Sequence, residues 1–102
     1  MASRRRVVWT DEALRALNEI LDFIARDSES GARHVLQQAL SAARSLGTLS
    51  ERGRVVPEVG DPTIREIFVY RYRLMYRVEP EVVSILTIVH GARDFERWRR
   101  EQ

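Results

Sequence analysis

The apolar positions of this chain fall into two helical stripes followed by three extended runs. In the first stripe Ala13, Leu14, Leu17, Ile20, Leu21 and Ile24 recur at three- and four-residue spacing, which gathers them on one side of an α-helix over about residues 11–26. Thr10 stands at the N-cap position, and Asp11 and Glu12 occupy the first turn, where carboxylates favour the positive end of the helix dipole. Asp27-Ser28-Glu29-Ser30-Gly31 breaks the pattern. A second stripe follows in Ala32, Val35, Leu36, Ala39, Leu40, Ala43 and Leu46, and Gly47 sits where a helix C′ glycine belongs. A break this short predicts an antiparallel helical hairpin, with Ala32, Ala39 and Ala43 permitting close approach.

Residues 4–9 read as a short strand ahead of the helices. Residues 48–63, with Gly53, Pro57, Gly60 and Pro62, read as a crossing loop. Strands are expected over Ile64–Tyr70, Tyr72–Val78 and Val82–His90, the last two separated by the turn Glu79-Pro80-Glu81. Along the middle strand Tyr72, Leu74, Tyr76 and Val78 point one way, while Arg71, Arg73, Met75 and Arg77 point the other. Gly91 ends the last run, and Ala92 to Trp98 reads as a charged tail. Strand, two helices, then three strands predicts a single α+β domain over residues 1–102, a small antiparallel sheet packed on the helical hairpin.

The 102 residues leave room for one core. Cysteine is absent, which excludes disulfides and thiolate metal sites. No apolar run approaches the ~18 residues of a membrane span, and MASRRRVVW lacks the apolar core of a secretory signal, so a cytoplasmic protein is expected. The charge is more informative. All 17 basic side chains are arginine, none is lysine, and the formal net charge is +2. Arginine stays protonated at any working pH and grips phosphates or carboxylates in forks, but it does not serve as a base or a Schiff-base former.

Candidate chemistry centres on the arginine-bearing strand. Arg71, Arg73 and Arg77, joined by Arg65 and Arg54, are expected to form an anion-binding face; the alternative is a solvated outer sheet face. His90, at the end of the last strand, is a candidate proton carrier. Glu58, after Pro57, is a candidate general base, whereas Asp94 is expected to pair with an arginine. Phe68, Tyr70, Tyr72, Tyr76, Phe95 and Trp9 are core candidates. Trp98 covers a sheet edge or stacks on a base. No glycine-rich phosphate loop and no metal-ligand spacing occurs, so no cofactor is expected.

The order of elements and several words in them resemble the RelE/ParE toxin superfamily of bacterial type II toxin–antitoxin modules. The resemblance rests on Val8-Trp9-Thr10 with Ala13 and Leu17, Gly53-Arg54-Val55-Val56-Pro57-Glu58, Ile64-Arg65-Glu66-Ile67, Tyr72-Arg73-Leu74-Met75-Tyr76-Arg77-Val78 and Val89-His90-Gly91-Ala92-Arg93. It implies a growth-arresting toxin neutralised by a cognate, acidic antitoxin of the ParD or RelB kind. Two activities run in the superfamily. RelE-like members cleave mRNA in the ribosome, and ParE-like members interfere with DNA gyrase. Under the RelE-like reading alone, Glu58, Arg65, Arg73, His90 and Arg93 fall near catalytic positions; Arg54, Arg71, Arg77 and Trp98 are expected to be binding residues under either activity. The lysines of one nuclease branch are absent here. The His-Gly-x-Arg ending and the long, alanine-rich hairpin resemble ParE members more closely. A non-catalytic arginine-rich binding module is a third possibility.

Overall fold

The computed structural model describes residues 4–101, apart from the side chains of 92–94. In chain order the elements are β1 (Arg6–Trp9), α1 (Asp11–Ala25), α2 (Glu29–Ser45), β2 (Arg54–Val55), β3 (Ile64–Val69), β4 (Tyr72–Val78), β5 (Val82–His90) and α3 (Gly91–Arg100). The strands make one sheet in the order β1-β5-β4-β3-β2. β1 runs parallel to β5, and every other pair is antiparallel. This is the expected α+β architecture, with a two-residue strand added inside the loop.

Side-chain oxygens start both long helices. Thr10 Oγ1 accepts from the Ala13 N–H at 3.1 Å while its hydroxyl donates to the Ile85 carbonyl at 2.9 Å, so one residue caps α1 and ties it to β5. Ser28 Oγ accepts from the Gly31 N–H at 2.9 Å, which starts α2 at Glu29 and makes the break shorter than the sequence suggests. Ala13, Leu17, Ala39, Ala43 and Leu46 then pack on Ile67, Leu74, Tyr76, Val83 and Ile85, forming the core between hairpin and sheet.

The far side of the sheet departs from expectation. The charged tail folds as α3, which lays Phe95 and Trp98, three residues apart, against Val56, Ile64, Met75 and Val89. The sheet is therefore covered in part on both faces. Phe68 and Tyr70, expected in the core, are instead 56% and 54% exposed. Phe68 alternates away from the hairpin. Tyr70 occupies the β3–β4 turn with φ at +56°, the left-handed region. A bulge in β5 leaves Leu86 without a counterpart, because Met75 pairs with Thr87 and Tyr76 with Ile85. Among the described residues no helix is long and apolar enough to cross a membrane.

Candidate functional site

The two sheet faces sort the candidate residues. In an antiparallel pair, directly opposed residues share a face. Arg54 opposes Glu66, Glu66 opposes Met75, Phe68 opposes Arg73 and Ile64 opposes Arg77, so all of these lie on the α3 side. Arg65 opposes Tyr76, and Tyr72 opposes His90, so these four lie on the hairpin side.

A network of four charges organises the α3 side. Arg73 Nε donates to Glu66 Oε1 at 2.7 Å, and its two terminal nitrogens donate to the Glu58 carboxylate at 3.0 and 2.9 Å. Arg54 Nε donates to the other Glu66 oxygen at 2.6 Å. The Arg73 guanidinium lies 4.8 Å from the centre of the Phe95 ring. Glu66 is wholly enclosed and the Arg73 side chain is 8% exposed, whereas those of Arg54 and Glu58 retain 58% and 32% exposure. Arg73, read from the sequence as the centre of a bare cationic face, is thus a buried, paired cation. Taking it out of water requires such pairing.

Gly53 allows the loop to deliver Glu58. Its N–H donates to the Tyr76 hydroxyl at 3.0 Å, and its carbonyl accepts from Arg65 at 2.8 Å. Arg65 is thereby spent on the loop backbone, on the face opposite Arg73. Burial pushes the Tyr76 phenol above its ordinary pKa.

The hydrogen bonds from Arg73 hold the Glu58 carboxyl below its ordinary value of 4.5, outweighing the opposing effect of burial. The same pairing, with Glu58 the larger contributor, raises Arg73. Because the folded-state pKa of Glu58 is depressed, its stabilising contribution is complete above the unfolded value and is lost as pH falls through the folded one. Thermal melts from pH 6 downward should therefore show the wild-type melting temperature dropping below about pH 4.5, and Glu58→Gln dropping less over the same window. Parallel curves for the two proteins would remove Glu58 from the acid response.

The remaining candidates lie apart from this network. His90 is exposed and packs edge-on against Tyr72, with ring centres 5.3 Å apart. It borders an open groove of about 800 Å³ between α1 and the ends of β5 and α3, with Arg15, Glu19, Arg71 and Arg97 on its rim. Arg71 lies in the β3–β4 turn, not on the strand face with Arg73. Arg77 is exposed at the far end of that face. Trp98 is buried, and its indole N–H donates to Glu12 at 2.7 Å, so it joins α3 to α1. The side chains of Arg93 and Asp94 lie outside the described residues. Glu66, the hub of the network, was missed by sequence reasoning. The available signal was a carboxylate in phase with the inward-facing Ile64. Among the described residues no cluster of histidine and carboxylate side chains fits a metal ion.

Comparison with known proteins shows the family and the fold. The family profile described as the ParE toxin of type II toxin–antitoxin system, parDE, matches residues 7–95. Toxin RelE2 of Caulobacter vibrioides is 37% identical over 89 residues, which cover 86% of this chain and 97% of that protein. A chain of the chromosomal ParDE system from P. aeruginosa superposes with a TM-score of 0.70 at 20% identity, covering 87% of this chain and 98% of that one. A chain of the RelBE2 toxin–antitoxin complex from Mycobacterium tuberculosis gives 0.58 at 20% identity, covering 90% and 97%. These two structures share the fold, and the sequence matches carry the kinship: the chain belongs to the ParE toxin family of type II toxin–antitoxin systems.

Proposed function

We propose that the protein arrests bacterial growth in the ParE manner, by interfering with DNA gyrase, and that a cognate acidic antitoxin holds it silent. One observation carries the choice between the two superfamily activities. A RelE-like ribonuclease needs a base, an acid and a bare cation converging on one phosphodiester. Here Glu58 and Arg73 are bound to each other on one face of the sheet, while His90 stands on the opposite face. The network on the α3 side reads as a device that fixes the loop and the sheet. Harm is then done by binding, and the antitoxin acts by covering surface. An acidic antitoxin suits a chain whose basic residues are 17 arginines.

The test uses antitoxin-free protein in two assays, gyrase supercoiling and cleavage of mRNA on translating ribosomes. Loss of supercoiling with intact mRNA is the expected result, and His90→Ala should arrest growth as the wild type does. Cleavage of mRNA that disappears in His90→Ala or Glu58→Gln would establish the ribonuclease and overturn the proposal. Inactivity in both assays without growth arrest would leave an arginine-rich binding module.

A further inference from the structure

We propose that the outer edge of β3, together with the adjoining face of α2, binds single-stranded nucleic acid by stacking bases on Phe68 and Tyr70. The site meets the Glu58–Arg73 network at Arg54, which bonds Glu66 and lies over Phe68, and the inference does not depend on gyrase being the target.

The edge is open where these aromatics stand. β2 pairs with Arg65 and Glu66, and Val56 reaches Ile64, so beyond Glu66 β3 has no paired strand on that side among the described residues. The Val56 N–H donates to the Ile64 carbonyl, and Arg54 opposes Glu66. Even-numbered residues of β3 therefore turn their backbone groups toward this edge, and the Phe68 N–H and C=O face outward beyond the end of β2. Phe68 and Tyr70 are among the most exposed large apolar side chains of the protein. They stand two residues apart, about 7 Å along the chain, with Phe68 turned to the Arg54 side of the edge and Tyr70 to the α2 side, so a strand crossing the edge meets both rings. The Arg54 guanidinium lies over the Phe68 ring at 5.6 Å, and His34 of α2 packs against Tyr70 at 5.6 Å. Between strand edge and helix runs a depression of about 260 Å³ lined by Gln38, Ser41, Ser45, Arg52, Phe68 and Tyr70.

Charge selects the ligand. No acidic residue occurs between Ser30 and Ser50, so α2 beyond its first turn offers only Arg33, His34, Arg44 and neutral polar groups. No carboxylate lines the depression. Glu66, the acid next to Phe68 along β3, is enclosed and shared by Arg54 and Arg73. Planar aromatic faces beside arginines suit bases and phosphates, and Glu51, the exposed acid next to Arg52, does not line the depression. Guanine-, adenine- or pyrimidine-specific readout is not built in, because stacking accepts any base.

The experiment is fluorescence anisotropy of labelled oligo(dT) and oligo(rU) with antitoxin-free protein, at low salt and at about 200 mM salt. Binding that weakens with salt is expected, and a preference for one oligomer identifies the strand as DNA or RNA. Phe68→Ala and Phe68→Leu should each weaken binding roughly tenfold, since leucine keeps apolar bulk but cannot stack. Arg52→Ser should lower the salt slope by about one. Arg77→Ser, at the far end of β4, removes the same charge and should change affinity far less. Phe68 is exposed, so these variants should melt as the wild type does. Three results would overturn the proposal: no binding at low salt, equal losses in the Arg52 and Arg77 variants with none in Phe68→Ala, or a Phe68→Ala protein that keeps its oligonucleotide affinity and loses its antitoxin.

Discussion

Glu66→Ala should destabilise the protein by about 3 kcal/mol, the lower end of what breaking a buried ion pair costs. At 4–8 °C per kcal/mol for a domain of this size, the melting temperature should fall by roughly 12–24 °C. The lower end applies because the partners differ in their access to water. Arg54 is more than half exposed and rehydrates once Glu66 is gone. Arg73 does not, since it is enclosed under Phe95 and keeps only Glu58. The comparison that isolates charge is Glu66→Met with Arg73→Met. Each single change strands a buried partner, whereas the pair removes both charges from the interior and should recover most of the loss. Glu58 and Arg54 are exposed enough to be solvated in the double variant. Additive losses would mean that the two side chains pack independently and that the ion pair is incidental.

The hairpin was legible because its stripes are long and their small residues regular: Leu17, Ala39 and Ala43 are buried where the period places them. The faces of β4 were legible too, since Tyr72, Leu74 and Tyr76 do pack on the helices and Met75 and Arg73 do face away. What lies beyond that second face was not. A segment such as Arg93-Asp94-Phe95-Glu96-Arg97-Trp98 has two apolar positions in six, too few to announce a buried helix from periodicity. A contrary signal stood in β5. The run Val82–Val89 is apolar at nearly every position, which marks a strand covered on both faces. On that signal Arg73 reads as a buried cation in need of carboxylates. The candidate set scattered for a related reason. Alternation places Arg65 and Arg73 on opposite faces only once the β3–β4 register is known, and a two-residue turn sets that register.

The second large effect is expected at Gly53, where the constraint is space rather than backbone freedom. A Cβ there would stand 2.5 Å from the Glu66 carbonyl oxygen and 2.5 Å from the Tyr76 hydroxyl. Neither obstacle yields easily. The first belongs to the β2–β3 ladder, and the second to a tyrosine with no exposed surface. Gly53→Ala must push the loop outward, which costs about 1–3 kcal/mol in overpacking. Losing the Gly53 N–H from the Tyr76 hydroxyl leaves a buried polar atom unpaired, at a further ~1–3 kcal/mol. Gly53→Ala combined with Tyr76→Phe removes one obstacle and the orphaned hydroxyl together, so it should recover part of the loss, while the Glu66 carbonyl keeps the rest. The displacement has a signature beyond melting temperature. The same loop carries Glu58 to Arg73, so in Gly53→Ala the Glu58 carboxyl should titrate nearer its ordinary value and the acid sensitivity of the melt should flatten. A Gly53→Ala protein that melts as the wild type does, with an unchanged acid response, would mean that the loop yields freely at this point and that contact with β3 does not position Glu58.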